Sequence, residues 1–147
     1  MPEPDPITLF IQNAKINDRN SEIVARFLLR YYSELNEVER RFPWDEKLSS
    51  QENFELAEGA VPAKVKVHQR YWEPTADDYW KPSSHGNMPH YSLANIESIK
   101  VKTDFRNAFL VEVKHAPDAA RSDTTYLVEH RKVEGSKRRL SIVNAFS

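Results

Sequence analysis

The chain has no cysteine and no long apolar run, and these two absences exclude whole classes of protein. Without cysteine there can be no disulfide and no thiolate metal site, so the stability has to come from the hydrophobic core. No segment approaches the roughly 18 consecutive apolar residues that a membrane span requires. The N-terminal residues also lack the basic region and apolar stretch of a secretory leader. We therefore expect a cytoplasmic protein with no membrane contact.

An excess of charge of either sign is also lacking. The chain contains 21 lysine and arginine residues against 22 aspartate and glutamate residues, for a formal net charge of −1. Nucleic-acid-binding proteins usually present a clearly basic face, so we expect no nucleic-acid partner. One basic cluster flanks a turn, and a solvated hairpin tip is a better interpretation of it than a phosphate-binding patch. Its members are Arg131, Lys132, Lys137, Arg138 and Arg139.

Alternation with period two in the last third of the chain predicts four consecutive antiparallel strands between residues 96 and 146. Ile99 and Val101 alternate with lysines, and the runs that contain Phe109 and Tyr126 repeat the pattern. Successive side chains of a strand point to opposite faces of a sheet. The pattern therefore indicates a sheet with one buried face and one solvated face.

A long amphipathic helix is predicted over residues 21–42. Asn20 or Ser21 can cap its first turn, and Pro43 ends it. Its apolar positions recur at spacings of three and four, which places them on one stripe that has to be buried against the sheet. This stripe consists of Ile23, Val24, Phe27, Leu28, Tyr31, Leu35, Val38 and Phe42.

The remaining segments give weaker patterns. The length suits a single domain over residues 1–147, and residues 1–6 are expected to be flexible because they hold three prolines. Residues 7–11 form either a short strand or a helical turn. A weaker second helix is expected over residues 45–58, packed through Leu48, Phe54 and Leu56.

Two stretches between this second helix and the sheet remain open at the level of sequence. Residues 63–72 fit a strand and a helix equally well, because periodicity does not decide so short a run. Residues 73–95 form a long connection with three prolines and a glycine. Connections of that length are uncommon unless they are functional or disordered.

The order of elements, helices and then antiparallel strands, is that of an α+β fold, and it resembles the NTF2-like cone. The segment Asn-Met-Pro-His-Tyr at residues 87–91 leads into Asn-Ile-Glu-Ser-Ile-Lys-Val at 95–101, and Thr-Tyr-Leu-Val follows at 125–128. This progression resembles that of NTF2-fold immunity proteins from bacterial polymorphic toxin systems. Phe-Pro-Trp-Asp at residues 42–45 is similar to the Trp-Glu that ends the first helix of that family. The resemblance spans residues 20–146.

The resemblance implies a single cone in which N-terminal helices pack inside a curved antiparallel sheet. It also implies a function: an immunity protein that binds a cognate bacterial toxin domain and occludes its active site. Such a protein needs a matched surface, so we expect no catalytic residue, no cofactor and no bound metal.

Two other functions remain as alternatives. NTF2-like folds include small-molecule isomerases and dehydratases that use an acid or base inside the cavity. Here His130 would supply the imidazole, and Asp104 or Asp123 would have to point inward to join it. The second alternative is a module that forms a homodimer through its sheet.

The candidate partner-binding residues lie in the connection that follows residue 72: Glu73, Asp77, Asp78, Tyr79 and Trp80. Aromatic side chains are enriched at binding hot spots, and carboxylates would suit a basic toxin cleft. The preceding Tyr71 and Trp72 are predicted to fill the core instead.

The five histidines do not predict a metal site. His85 and His90 have a loop spacing that matches no common zinc motif. His68, His115 and His130 are scattered, and we expect surface or loop positions for them. Of the helix tyrosines, Tyr31 is predicted in the core, and Tyr32 is predicted at the mouth of the cone.

Overall fold

The computed structural model describes residues 5–16, 18–43, 45–74, 91–105, 108–117, 123–132 and 138–146. Three helices come first, followed by a short 3-10 turn at Leu93–Asn95 and a four-stranded sheet. The predicted α+β class is confirmed. The helices are α1 (Pro6–Asn13), α2 (Arg19–Arg41) and α3 (Ser50–Tyr71), and the strands are β1 (Ile96–Phe105), β2 (Ala108–His115), β3 (Thr124–Lys132) and β4 (Arg138–Phe146).

The first helix begins inside the segment that was expected to be flexible. Asp5 is its N-cap and accepts the backbone N–H of Thr8 at 3.0 Å and the Thr8 hydroxyl at 2.7 Å. These bonds, led by the hydroxyl, lower the pKa of the Asp5 carboxyl. Pro6 occupies the first helical turn, where its missing N–H is not needed. Residues 5 and 6 therefore cap and begin α1, and the helical alternative for residues 7–11 is confirmed.

Helix α2 starts two residues before the predicted first residue, because the N-cap is Asp18 rather than Asn20 or Ser21. The Asp18 carboxylate accepts the Ser21 backbone N–H at 2.9 Å, and this bond lowers the pKa of Asp18. Most of the predicted stripe is buried, although Ile23 is exposed. The fully buried members are Val24, Leu28, Tyr31, Leu35 and Val38.

A single long helix, α3, covers most of the predicted second helix over residues 45–58 and nearly all of the ambiguous residues 63–72. Ser49 and Glu52 form a reciprocal capping box at its start, and the helix then runs through Gly59 and Pro62 without ending. Of the residues predicted to pack this segment, Phe54 is 57% exposed and Leu56 is also exposed, so neither lies in the core. The buried residues are instead Asn53, Ala60, Lys64, Val67 and His68.

The sheet is an antiparallel meander in the order β1-β2-β3-β4, as the alternation predicts. The register places Val101 opposite Val111, and Val111 opposite Tyr126. The buried face of the sheet and the buried stripe of α2 belong to one core, which α1 and α3 complete. Among the described helices, none is both long enough and apolar enough to cross a membrane.

Candidate functional site

Of the five predicted partner-binding residues, only Glu73 lies in the described part of the chain. It is half-buried, and its backbone N–H donates to the Ile142 carbonyl at 2.8 Å. This bond extends the parallel bridge that pairs Trp72 with Ile142 at the edge of the sheet. Asp77, Asp78, Tyr79 and Trp80 lie outside the described residues, so their role stays a prediction.

The described ends of this connection are both held by α2. Trp72 is buried, as predicted, and its indole Nε1–H donates to the Tyr31 hydroxyl at 3.1 Å. Tyr91 is also buried, and its backbone N–H donates to Glu39 Oε1 at 3.0 Å. The segment that contains the predicted partner-binding residues therefore starts and ends at fixed points against one helix.

A polar aromatic cluster occupies the interior between α2 and α3. The Tyr31 hydroxyl lies 2.9 Å from His68 Nδ1, and the His68 ring stacks on Trp72 with ring centroids 4.6 Å apart. Because Trp72 donates to the Tyr31 oxygen, the Tyr31 proton can be given to His68 Nδ1. His68 is 2% exposed, so the prediction of a surface or loop position for it is wrong.

A second part of the cluster joins α2 to the sheet. The Tyr32 hydroxyl lies 3.1 Å from His115 Nε2 and 2.9 Å from the Tyr126 hydroxyl. Tyr32 is fully buried and His115 is 4% exposed. The predictions that Tyr32 lines a mouth and that His115 is a surface residue are therefore wrong. Both hydroxyls and the imidazole are buried groups that need hydrogen-bond partners, and here they bond to one another.

The sequence contained a signal for His115. The buried β2 positions Phe109, Val111 and Val113 repeat every two residues, and the next position of that repeat is His115. For His68 the signal is its position on α3, because His68 lies one helical turn after Lys64 on the buried face of the helix.

The histidine and carboxylates predicted for an enzyme are arranged differently. His130 is half-buried, and its ring packs edge-on against Phe109. Asp123 is exposed and accepts the backbone N–H of His115 at 2.9 Å. The side chain of Asp104 lies outside the described residues. Among the described contacts, therefore, no imidazole–carboxylate pair forms at His130.

A buried ion pair lies on the α3 side of the cluster. Lys64 Nζ is 3.6 Å from Glu39 Oε2 and 5.8 Å from the centroid of the Tyr91 ring, and both charged side chains are almost fully buried. Removing two charges from water is costly, and their attraction and further hydrogen bonds have to offset that cost. Here Glu39 also accepts the Tyr91 N–H. The pair thus neutralises two buried charges and holds the chain at Tyr91.

Within the described residues, no three histidine, aspartate or glutamate side chains come close enough together to hold a metal ion. Three depressions of the described surface lie on the solvated sheet face, beside α1 and α2, and between α1 and β1. None of these three is lined by a tyrosine or histidine of the interior cluster.

The chain matches no protein-family model, no curated protein and no solved structure.

Proposed function

We propose that this protein is a non-catalytic immunity protein with an NTF2-like cone, which binds a cognate bacterial toxin domain and blocks its active site. The sequence resemblance over residues 20–146 supports the proposal. So does the element order, in which three helices precede an antiparallel meander that packs against α2.

The observation that carries the proposal is that the interior polar groups hydrogen-bond to one another. The Tyr32 hydroxyl is within hydrogen-bonding distance of both His115 and Tyr126, and the Tyr31 hydroxyl is within that distance of both His68 and Trp72. An enzyme has to direct such groups at a substrate, whereas an inhibitor needs only a rigid scaffold below its binding surface. A self-bonded interior suits a scaffold.

The solvated face of the sheet offers polar surface that suits protein recognition. Lys102 and Glu112 form an ion pair at 3.0 Å, and Lys114 lies 3.9 Å from Glu97. Such exposed pairs contribute little to stability. Charged surface side chains do influence the rate and orientation of protein association, which is what a fast-acting inhibitor requires.

A small-molecule isomerase or dehydratase is the second candidate, and one observation favours it. Two tyrosine hydroxyls and an imidazole converge at Tyr32, Tyr126 and His115, and such donors can stabilise a developing oxyanion. A substrate would have to displace bonds that these groups make with one another. We therefore rank this function below the immunity function.

The deciding experiment is a calorimetric titration of this protein into a catalytically inactive toxin domain encoded beside it. We expect one-to-one binding at nanomolar affinity, together with inhibition of the active toxin at the same stoichiometry. Absence of binding by the wild-type protein would refute the immunity function. Binding without inhibition would refute active-site occlusion.

A charge-reversal pair tests the predicted binding connection. Asp77→Lys/Asp78→Lys should weaken toxin binding, and the matched control Glu55→Lys/Glu58→Lys changes the net charge equally on exposed positions of α3. The melting temperature of each variant is measured first. Full binding by Asp77→Lys/Asp78→Lys, or an equal loss in the control, would contradict a specific role for the connection.

A further inference from the structure

Helix α3 has a second apolar stripe beside the one that it buries in the core. Four residues recur at spacings of three and four, so they follow one line along the helix: Phe54, Ala57, Val61 and Val65. Phe54 is 57% exposed and Val61 is 48% exposed, while the other two are half-buried. Isolated exposed apolar side chains are common, but a stripe with this spacing is typical of a helix that packs on another helix. We call these four residues the outer stripe.

The charges of α3 are segregated along its length. The first half of the helix holds three glutamates and no lysine or arginine, and the second half holds two lysines and an arginine and no carboxylate. This order suits the dipole of the helix within one copy. Lys64 pairs with Glu39 and Arg70 pairs with Glu34, so two of the three cations have partners in the same copy. The third cation, Lys66, is exposed and forms no ion pair with a described residue.

Lys66 lies on the same flank of the outer stripe as two of the glutamates. Counted from Phe54 at about 100° per residue, Glu58 and Glu55 lie about 40° and about 100° round the helix. Lys66 lies at about 120°, on the same side. Both glutamates are exposed. One border of the outer stripe is therefore negative in its first half and positive in its second half.

Two copies of such a helix match each other when they pack antiparallel. A twofold axis near residue 60 places the first half of one stripe on the second half of the other, and every contact occurs twice. Phe54 of one copy then lies within one residue of the level of Val65 in the second copy. Lys66 lies within one helical turn of Glu55 and Glu58 of that copy. Parallel packing would instead set glutamates against glutamates, which repel.

We infer that the outer stripe of α3 is a homodimer interface, in which two copies of this chain pack their α3 helices antiparallel. The apolar side chains form the centre of the contact, and the pairs that Lys66 makes with Glu55 and Glu58 form its rim. The charges identify a second copy as the occupant, because one helix supplies both the acidic and the basic half of the match. The interface uses none of the predicted toxin-binding residues and no residue of the sheet, so it does not depend on the immunity function.

The first measurement is sedimentation velocity of the wild-type protein at low salt, over a concentration series that reaches about 0.5 mM. We expect a monomer–dimer equilibrium with a dissociation constant in the micromolar range. Added salt should weaken the dimer, because it screens the charge pairs of the rim. A protein that remains monomeric throughout the series would overturn the inference.

A charge swap tests the antiparallel arrangement. Glu55→Lys/Glu58→Lys makes the charged border of the stripe entirely basic, and Lys66→Glu makes it entirely acidic. We expect each variant alone to dimerise at least about tenfold more weakly than the wild type. An equimolar mixture of the two should form dimers again, because each basic border then meets an acidic one. A mixture that stays monomeric, or either variant dimerising as the wild type does, would overturn the inference.

Two matched variants test the apolar centre. Val61→Gln changes the outer stripe, whereas Leu56→Gln changes a residue of similar exposure, 45%, on another face of the same helix. We expect Val61→Gln to weaken the dimer about tenfold, because Val61 lies beside the twofold axis and contributes twice, and Leu56→Gln to change it less than about twofold. Equal losses in the two variants, each confirmed as folded by circular dichroism, would overturn the inference.

Discussion

Replacing Tyr32 by phenylalanine tests whether the interior cluster is held together as described. The change removes a buried hydroxyl that lies 3.1 Å from His115 Nε2 and 2.9 Å from the Tyr126 hydroxyl, while the ring remains to fill its space. Each buried group that loses a hydrogen-bond partner costs about 1–3 kcal/mol, with the low end applying where another partner remains. With two partners affected, we expect Tyr32→Phe to lower the free energy of unfolding by about 2 kcal/mol.

The assay is urea denaturation followed by tryptophan fluorescence, which reports on Trp72 within the same cluster. A loss of about 2 kcal/mol corresponds to a melting temperature lower by about 4–8 °C in a protein of this size. The slope of unfolding free energy against urea should not change, because the folded structure stays the same. The matched control is Tyr71→Phe, since Tyr71 is only half-buried and its partner Glu34 keeps an ion pair with Arg70.

A double-mutant cycle with Tyr126→Phe makes the test sharper. Because the two hydroxyls bond to each other, the double variant should lose less stability than the two single losses added together. Strictly additive losses would refute the direct bond. A loss for Tyr32→Phe no larger than that for Tyr71→Phe would refute the description of a self-bonded interior, and with it the main support for a scaffold function.

Two further changes probe other parts of the same scaffold. Lys64→Met removes the cation from beside the buried Glu39 carboxylate and should lower the free energy of unfolding by about 3–5 kcal/mol, measured by urea denaturation. Lys64→Arg keeps a positive charge and should lower it by less. Equal losses in the two variants would contradict a charge-based role for Lys64. Asp18 has a lowered pKa in the folded state, so its contribution to stability is present above its unfolded pKa and is lost as the pH falls through the folded pKa. Asp18→Asn keeps a good N-cap residue, but one that does not titrate. We therefore expect the free energy of unfolding of this variant to fall less steeply than that of the wild type as the pH is lowered into the acid range. An unchanged pH dependence would contradict this role of Asp18.

The sheet and α2 were predictable because each has a strong periodic signal. The strand pattern gave the correct strand number and the buried face, and the stripe from Val24 to Val38 is buried as expected. These signals are local, since each is repeated over many residues of one element. The α+β class followed from their order.

The rest depended on long-range packing that local patterns do not contain. Gly59 and Pro62 indicate a helix end, yet α3 continues through them because its opposite face is buried against α2. The hydrogen-bond partners of His68 and His115 are tyrosines in a distant part of the chain, 37 and 83 residues away. The predicted binding connection falls mostly outside the described residues, so sequence reasoning about it stands as a prediction.

The two anchors of that connection have a consequence for how the protein can vary. Trp72 is held by Tyr31 and Tyr91 by Glu39, and these two α2 residues lie eight positions apart on one helix, a distance of about 12 Å along its axis. Helix α2 thus fixes the distance between the points at which the connection leaves and rejoins the core. Doubling the length of a loop with fixed ends costs only about 0.6 kcal/mol in closure entropy. Connections of different length can therefore join Trp72 to Tyr91 at little cost in closure entropy, provided that they keep these two anchors.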